Sequence, residues 1–243
     1  MDRFIRTEAL VGKEGLARLQ AAHVAVVGLG GVGGAALEAL VRGGIGAVTL
    51  IDGDVFSKTN LNRQLLALEQ SVGLPKAEVA RERMLCINPR LAVTAHAVFL
   101  TEENVGELLK NVDYVVDCID DAAAKLAIAK YCRTAGVPMV MCMGTGNRLS
   151  SEGLRTANFD QTAGCPLAKK MRLLLKGAGF RKLRALYSDA PTLAVHPIED
   201  GGKRTVGSIS YLPPIAGYKL AEHTIGRILN QQEALDIPKG ERI

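Results

Sequence analysis

The residues Gly28-Leu29-Gly30-Gly31-Val32-Gly33 carry the glycine spacing that lets a backbone come close to a nucleotide. They lie between a short aliphatic run, residues 23–28, and a helical run, residues 31–42, which is the strand–loop–helix context that such a loop requires. Gly28 permits the tight turn, Gly30 and Gly31 let a ligand approach the backbone, and Gly33 lets the helix pack on the strand. The helix N-terminus then offers unpaired N–H groups to a nucleotide. Asp52 closes the next strand-like run, nineteen residues after Gly33, where its carboxylate is placed to accept hydrogen bonds from ribose hydroxyls. By itself this set favours a dinucleotide oxidoreductase.

Further residues change the chemistry. Ile51-Asp52-Gly53-Asp54 is followed by Thr59-Asn60-Leu61-Asn62-Arg63-Gln64, then Val72-Gly73-Leu74-Pro75-Lys76, and later Asp117-Cys118-Ile119-Asp120-Asp121. A redox cofactor has little use for Arg63, Lys76 and Asp120 around one crevice. A triphosphate does, because Arg and Lys neutralise its charge and a carboxylate holds the Mg²⁺ that bridges its oxygens. Each residue also has a plainer role open to it: Arg63 in a surface ion pair, Lys76 as a helix-start residue, Asp120 as a helix N-cap. Asp54 and Asn60, inside the same motifs, are grouped with the nucleotide site.

These side chains need a sheet that brings their loops to one edge. Strand-like runs at 47–52, 91–98, 114–119 and 137–143 alternate with helical runs at 75–88, 102–110 and 121–135. That rhythm predicts a parallel sheet with right-handed crossovers, an α/β, Rossmann-like arrangement flanked by helices. Asp120 then falls at the C-terminal ends of the strands, where ligands bind in such sheets. Beyond residue 150 the pattern is less regular: strands at 153–159, 182–188 and 208–212, helices at 166–178 and about 214–229, a loop at 198–204 and a polar tail after Asn230. The organisation expected is one domain over 1–243, with a nucleotide-binding part at 1–150, a substrate-facing C-terminal strand/helix elaboration at 151–230 and the tail at 231–243.

The chain has 243 residues, nearly half apolar, with little aromatic content, which suits aliphatic strands covered by helices. No apolar stretch approaches the roughly 20 residues of a membrane span, and no secretory signal is evident at the N-terminus, so a cytoplasmic protein without membrane contact is expected. The five cysteines form no C-x-x-C pair, which argues against a disulfide framework and against structural zinc. Cys86, Cys118, Cys132 and Cys142 read as small buried hydrophobes.

The net charge of +5 is uneven: residues 1–150 balance, and the excess lies in 151–243, with fourteen Lys/Arg against nine Asp/Glu. Between Cys165 and Arg184 lie Lys169, Lys170, Arg172, Lys176, Arg181 and Lys182, with no acid among them. Such a run is either a solvated face or a surface for a polyanion such as nucleic acid.

The set GLGGVG, IDGD, TNLNRQ, VGLPK and CIDD resembles the superfamily of ubiquitin-activating-like adenylyltransferases, over about residues 3–150. The resemblance implies ATP-dependent adenylation of a carboxylate. It implies that Arg6, Arg63 and Lys76 hold the phosphates, that Asp120 is linked to Mg²⁺ and Asp52 to the ribose, and that Arg6 reaches across a homodimer. Relatives that activate ubiquitin-like sulfur carriers usually carry two zinc-binding C-x-x-C pairs, which this chain lacks. Its segments MGTGN (143–147), CPLAKKMR (165–172), GSISY (207–211) and PIAG (214–217) are more similar to the branch that acts on tRNA, the tRNA threonylcarbamoyladenosine dehydratases.

On that reading the basic run contacts the anticodon stem-loop phosphates, and a sulfur-transfer protein is an additional candidate partner. Cys165, before Pro166 at a helix start, is either a reactive thiol or a structural cap or buried contact. Two other classes stand beside the dehydratase: an adenylyltransferase for a ubiquitin-like carrier protein, and an NAD-binding oxidoreductase or non-catalytic nucleotide module.

Overall fold

The computed structural model describes residues 2–194, 196 and 206–230. Seven strands form one sheet: β1 His23–Val27, β2 Ala47–Ile51, β3 Ala92–His96, β4 Tyr114–Asp117, β5 Met139–Cys142, β6 Leu154–Asn158 and β7 Arg184–Ser188. Their order is β3-β2-β1-β4-β5-β7-β6, with every pair parallel except β6 with β7. The helices are α1 Ile5–Ala21, α2 Gly31–Gly43, α3 Lys76–Ile87, α4 Val105–Leu108, α5 Ala122–Ala135, α6 Pro166–Gly177 and α7 Leu212–Ile228.

The central strands β1, β2, β4 and β5 are buried on both faces and are mostly aliphatic, while the edge strands β3 and β6 are partly exposed and carry polar residues. Side chains alternate between the faces at period two. Val24 and Val26 of β1 join a core with α2, α3 and α7, while Ala25 and Val27 join one with α4, α5 and α6. On the first face α7 lies directly on α2. A Cβ on Gly217 would come within 2.2 Å of the Val32 carbonyl oxygen, so only glycine permits that approach.

The alternating elements of the first 150 residues form as expected, including the stop of α2 at Gly43-Gly44, where Gly44 takes a left-handed conformation (φ 112°). Several details differ. Residues ahead of His23 carry no expected element, yet they form α1, which holds a non-helical residue at Gly12 (φ 75°). The helix expected at 102–110 shrinks to the single turn of α4. No strand forms at 208–212: this stretch runs irregularly to Tyr211 and α7 begins at Leu212, where Pro213 fits the first turn because its missing N–H would be unpaired there anyway. Cys86 is exposed rather than buried, as it lies on the outer face of α3. The loop expected at 198–204 and the tail at 231–243 lie outside the described residues.

Candidate nucleotide site

Strand order reverses between β1 and β4, and such a switch point opens a crevice at the strands' C-terminal ends. A cavity of about 420 Å³ occupies that place. Its lining includes Gly28, Gly30, Asp52, Asp54, Asn60, Arg63, Lys76 and Asp120, so eight of the expected nucleotide residues converge on one space. A second cavity of about 480 Å³ lies at the N-terminal ends of β4 and β5, between Arg18, Tyr114 and Arg227, and none of the expected nucleotide residues lines it.

The glycine loop is shaped by close approach. Gly28 has φ 85°, and a Cβ there would come within 2.9 Å of the Cys118 carbonyl carbon. A Cβ on Gly33 would come within 1.7 Å of the Gly28 carbonyl oxygen, so helix and strand meet with no space for a side chain. Gly31 does not line the cavity: it packs beneath Pro213, with a Cβ position 2.9 Å from that ring, so its role in the fold is to admit α7.

Asp52 locks the loop. One carboxylate oxygen accepts the Leu29 N–H at 2.6 Å and the other accepts the Asp54 N–H at 2.8 Å. Each oxygen keeps a second acceptor position for a ligand hydroxyl. Lys76 begins α3 and is 6% exposed; its Nζ sits 2.9 Å from Asp54 Oδ2, which holds the ammonium at the cavity wall. The Arg63 guanidinium forms no ion pair among the described residues. It donates instead to the Thr59 carbonyl (2.7 Å) and to Asn62 Oδ1 (3.0 Å), and so retains donors for a phosphate. Asn60 folds the same turn, accepting the Ser57 N–H at 3.1 Å.

Asp120 is not the N-cap of α5. Asp121 fills that place, accepting the Ala124 N–H at 2.8 Å. The Asp120 carboxylate is exposed to the cavity with no hydrogen bond or ion pair among the described residues. No group of three or more His, Cys, Asp or Glu converges to hold a metal among those residues. A Mg²⁺ held by one carboxylate and by substrate phosphates is the arrangement that this donor set fits.

Beneath Asp120, Lys125 Nζ reaches both oxygens of Asp117 at 3.0 Å, and neither side chain is exposed. Burial pushes the Asp117 carboxyl above the usual range, while Lys125 and the Ile119 N–H pull it down. The pair fixes the end of β4 to the start of α5, and with it the loop that carries Asp120.

Reasoning from sequence missed Val98, Phe99, Leu100, Ile119, Gln64 and Asp121, all of which line the cavity. Phe99, three residues after β3, is 66% exposed and lines the cavity, where it presents an aromatic surface. An exposed aromatic at a strand's C-terminal end was the signal available for it. Arg6, on exposed α1, does not line the cavity of its own chain.

In the C-terminal part, Lys169, Lys170 and Lys176 project from α6 and Arg181 and Lys182 follow it, all exposed. Arg172 is different: half-buried, it donates to the carbonyl and hydroxyl of Thr162 and so belongs partly to the fold. Arg133 joins this surface from α5, stacked 4.1 Å over the Phe180 ring, which no linear charge run could reveal. Cys165 is buried at the N-cap position of α6, makes no capping bond, and lies against Gly144.

The profile of the ThiF family matches residues 2–231. The tRNA threonylcarbamoyladenosine dehydratase of Bacillus subtilis is 33% identical, over 96% of this chain and 97% of that protein. Among solved structures, the Escherichia coli tRNA N6-threonylcarbamoyladenosine dehydratase in complex with AMP superposes with a TM-score of 0.87 at 35% identity, covering 94% of each chain. The same enzyme in complex with ATP gives 0.86 at 34% identity.

Proposed function

The chain belongs to the ThiF family, and from this we infer that it is an ATP-dependent enzyme that cyclises threonylcarbamoyl-adenosine in tRNA. The observation that carries the chemistry is the convergence of Arg63, Lys76 and Asp120 on the cavity that Gly28, Gly30 and Asp52 shape. The likeness to dehydratases through the C-terminal part, where substrate is expected to bind, supports the choice of carboxylate.

A carboxylate is a poor electrophile because its leaving group would be oxide. In the proposed reaction the free carboxylate of the modification attacks the α-phosphorus of ATP, and pyrophosphate leaves. The acyl-adenylate then closes onto the modification itself, releasing AMP, so the nucleoside loses the elements of water. The protein positions the reactants and stabilises charge. Arg63 and Lys76 neutralise phosphate oxygens as negative charge moves to pyrophosphate, Asp52 accepts from the ribose, and Phe99 offers the base a face. Asp120 would hold Mg²⁺, which would supply further neutralisation of phosphate charge.

Ring closure needs no enzyme nucleophile, which agrees with a buried Cys165. Lys169, Lys170, Lys176, Arg181 and Lys182 form the surface proposed for RNA phosphates. The protein is proposed to act as a homodimer in which Arg6 of one protomer reaches the cavity of its partner. Exposed Ile5 and Leu10 beside Arg6 support this, since an interface would bury both. No helix among the described residues is long and apolar enough to cross a membrane, and the use of tRNA and ATP points to the cytoplasm.

ATP–pyrophosphate exchange assayed with modified tRNA, unmodified tRNA and a ubiquitin-like carrier protein tests the reading. Exchange with modified tRNA alone supports it. Exchange with the carrier protein supports the adenylyltransferase alternative, and none with any substrate contradicts adenylation.

A further inference from the structure

A path of hydrogen bonds and peptide links joins Arg63 to the loops of the C-terminal part, and its first link is Asn62. The Asn62 side chain is exposed and does not line the cavity. It is nonetheless bonded at both ends. Its Oδ1 accepts from the Arg63 guanidinium at 3.0 Å, and its Nδ2 donates to the Ser208 carbonyl at 3.1 Å. A primary amide suits this place because it has an acceptor and donors on one rigid plane.

The bonds continue beyond Ser208. The neighbouring Gly207 donates its N–H to Asn147 Oδ1 at 2.7 Å and accepts the Asn147 N–H at 2.8 Å. Asn147 stands in the left-handed region (φ 59°) and also accepts the Leu193 N–H at 2.8 Å. Next to it, Arg148 is 4% exposed and donates to the carbonyls of Gly144, Gly146, Gly164 and Ala190. Those four carbonyls belong to the segments after β5, before α6 and after β7. The positions of all three segments are therefore tied through residues 207–208 to the loop that carries Arg63.

We propose that Asn62 is a positioning residue that couples the triphosphate site to the substrate-facing loops. When a phosphate engages Arg63, the guanidinium is fixed, Asn62 is held with it, and residues 207–208 are held against Asn147. Ordering these loops before RNA arrives removes part of the cost of binding, so each ligand strengthens the other's binding by the same factor. The inference rests on the reading of this site as one for ATP and tRNA.

The test is the dissociation constant of tRNA bearing the threonylcarbamoyl modification, measured with and without an ATP analogue whose α–β bridge is a methylene group. For the unsubstituted protein the analogue should tighten RNA binding about fivefold or more. Asn62→Ala should bring the ratio to within about twofold of one, and Asn147→Gly, which keeps the bond from its own N–H to the Gly207 carbonyl, should lower it part of the way. Glycine at 147 retains the backbone conformation while removing the acceptor. The double variant should do no more than Asn62→Ala alone, since both substitutions act on the same chain of bonds. A merely structural role would instead lower both affinities and leave the ratio in place. A ratio unchanged in the single variants, or near one in an unsubstituted enzyme that still turns over, overturns the coupling alone. Failure of the unsubstituted protein to cyclise modified tRNA overturns the underlying reading, and the coupling with it.

Discussion

The Asp52 carboxylate accepts the backbone N–H of Leu29 at 2.6 Å, so the residue expected to meet the ribose also fastens the glycine loop. Asp52→Ala should therefore do more than remove a ligand contact. Losing a charge-assisted bond inside the protein and another to ATP should raise the KM for ATP on the order of 10- to 100-fold. Asp52→Asn, which keeps one acceptor, should fall between. Steady-state kinetics over a range of ATP concentrations checks this. Equal KM values for Asp52→Ala and the unsubstituted enzyme would remove Asp52 from both roles.

The buried pair beneath Asp120 makes a prediction about stability. Lys125→Met strands the Asp117 carboxylate in an apolar interior and should cost about 3–5 kcal/mol. With the ammonium gone, the Asp117 carboxyl should rise further above its usual range and take up a proton. Lys125→Met combined with Asp117→Asn should recover much of the loss, because no unpaired charge then remains. Urea unfolding of the single and double variants measures the difference.

Thiol chemistry separates Cys86 from three of the other cysteines. Burial pushes Cys132 and Cys142 up to about 12 and Cys118 well above its ordinary value. At pH 8 a thiol of pKa about 12 is ionised to only about one part in ten thousand. Exposed Cys86 should thus be alkylated first in the native protein. Denaturation should then open Cys118, Cys132 and Cys142 to the same reagent. Mass mapping of iodoacetamide-treated peptides reads this out.

The basic surface predicts a change in salt dependence. Reversing Lys169, Lys170 and Lys176 together to Glu should weaken tRNA binding sharply and reduce the log–log salt slope by about 2–3, as each lost phosphate contact lowers it by just under one. Arg172→Glu should behave differently, lowering thermal stability as well, because Arg172 holds Thr162. Unaltered binding in the triple variant would mark the run as a solvated face.

How much of this was written in the sequence depends on range. The Gly28–Gly33 loop, Asp52, Arg63, Lys76 and Asp120 were legible because each lies in a short motif whose spacing alone fixes strand, turn and helix. The antiparallel β6–β7 pair at the sheet edge and the close packing of α7 on α2 depend on partners distant in the chain. α1 does not stand out in the sequence because Gly12 interrupts the period and only Gly15, Leu16 and Leu19 of it are buried. The strand expected at 208–212 failed because Ser208 and Gly207 bond to Asn62 and Asn147 instead of to a ladder. Arg133 and Phe99 join their surfaces only through folding. Arg172 stands with the surface lysines in the sequence, which shows its charge and not its bonds to Thr162.

The most direct measurement is the nucleoside itself. Purified protein is incubated with ATP and tRNA bearing threonylcarbamoyl-adenosine, and the digested nucleosides are weighed by mass spectrometry while AMP and pyrophosphate are counted. The account predicts a product lighter by one water, with one AMP and one pyrophosphate formed for each nucleoside converted, and loss of all three in Lys76→Ala. ADP in place of AMP, or AMP released with no change in the nucleoside, would contradict it.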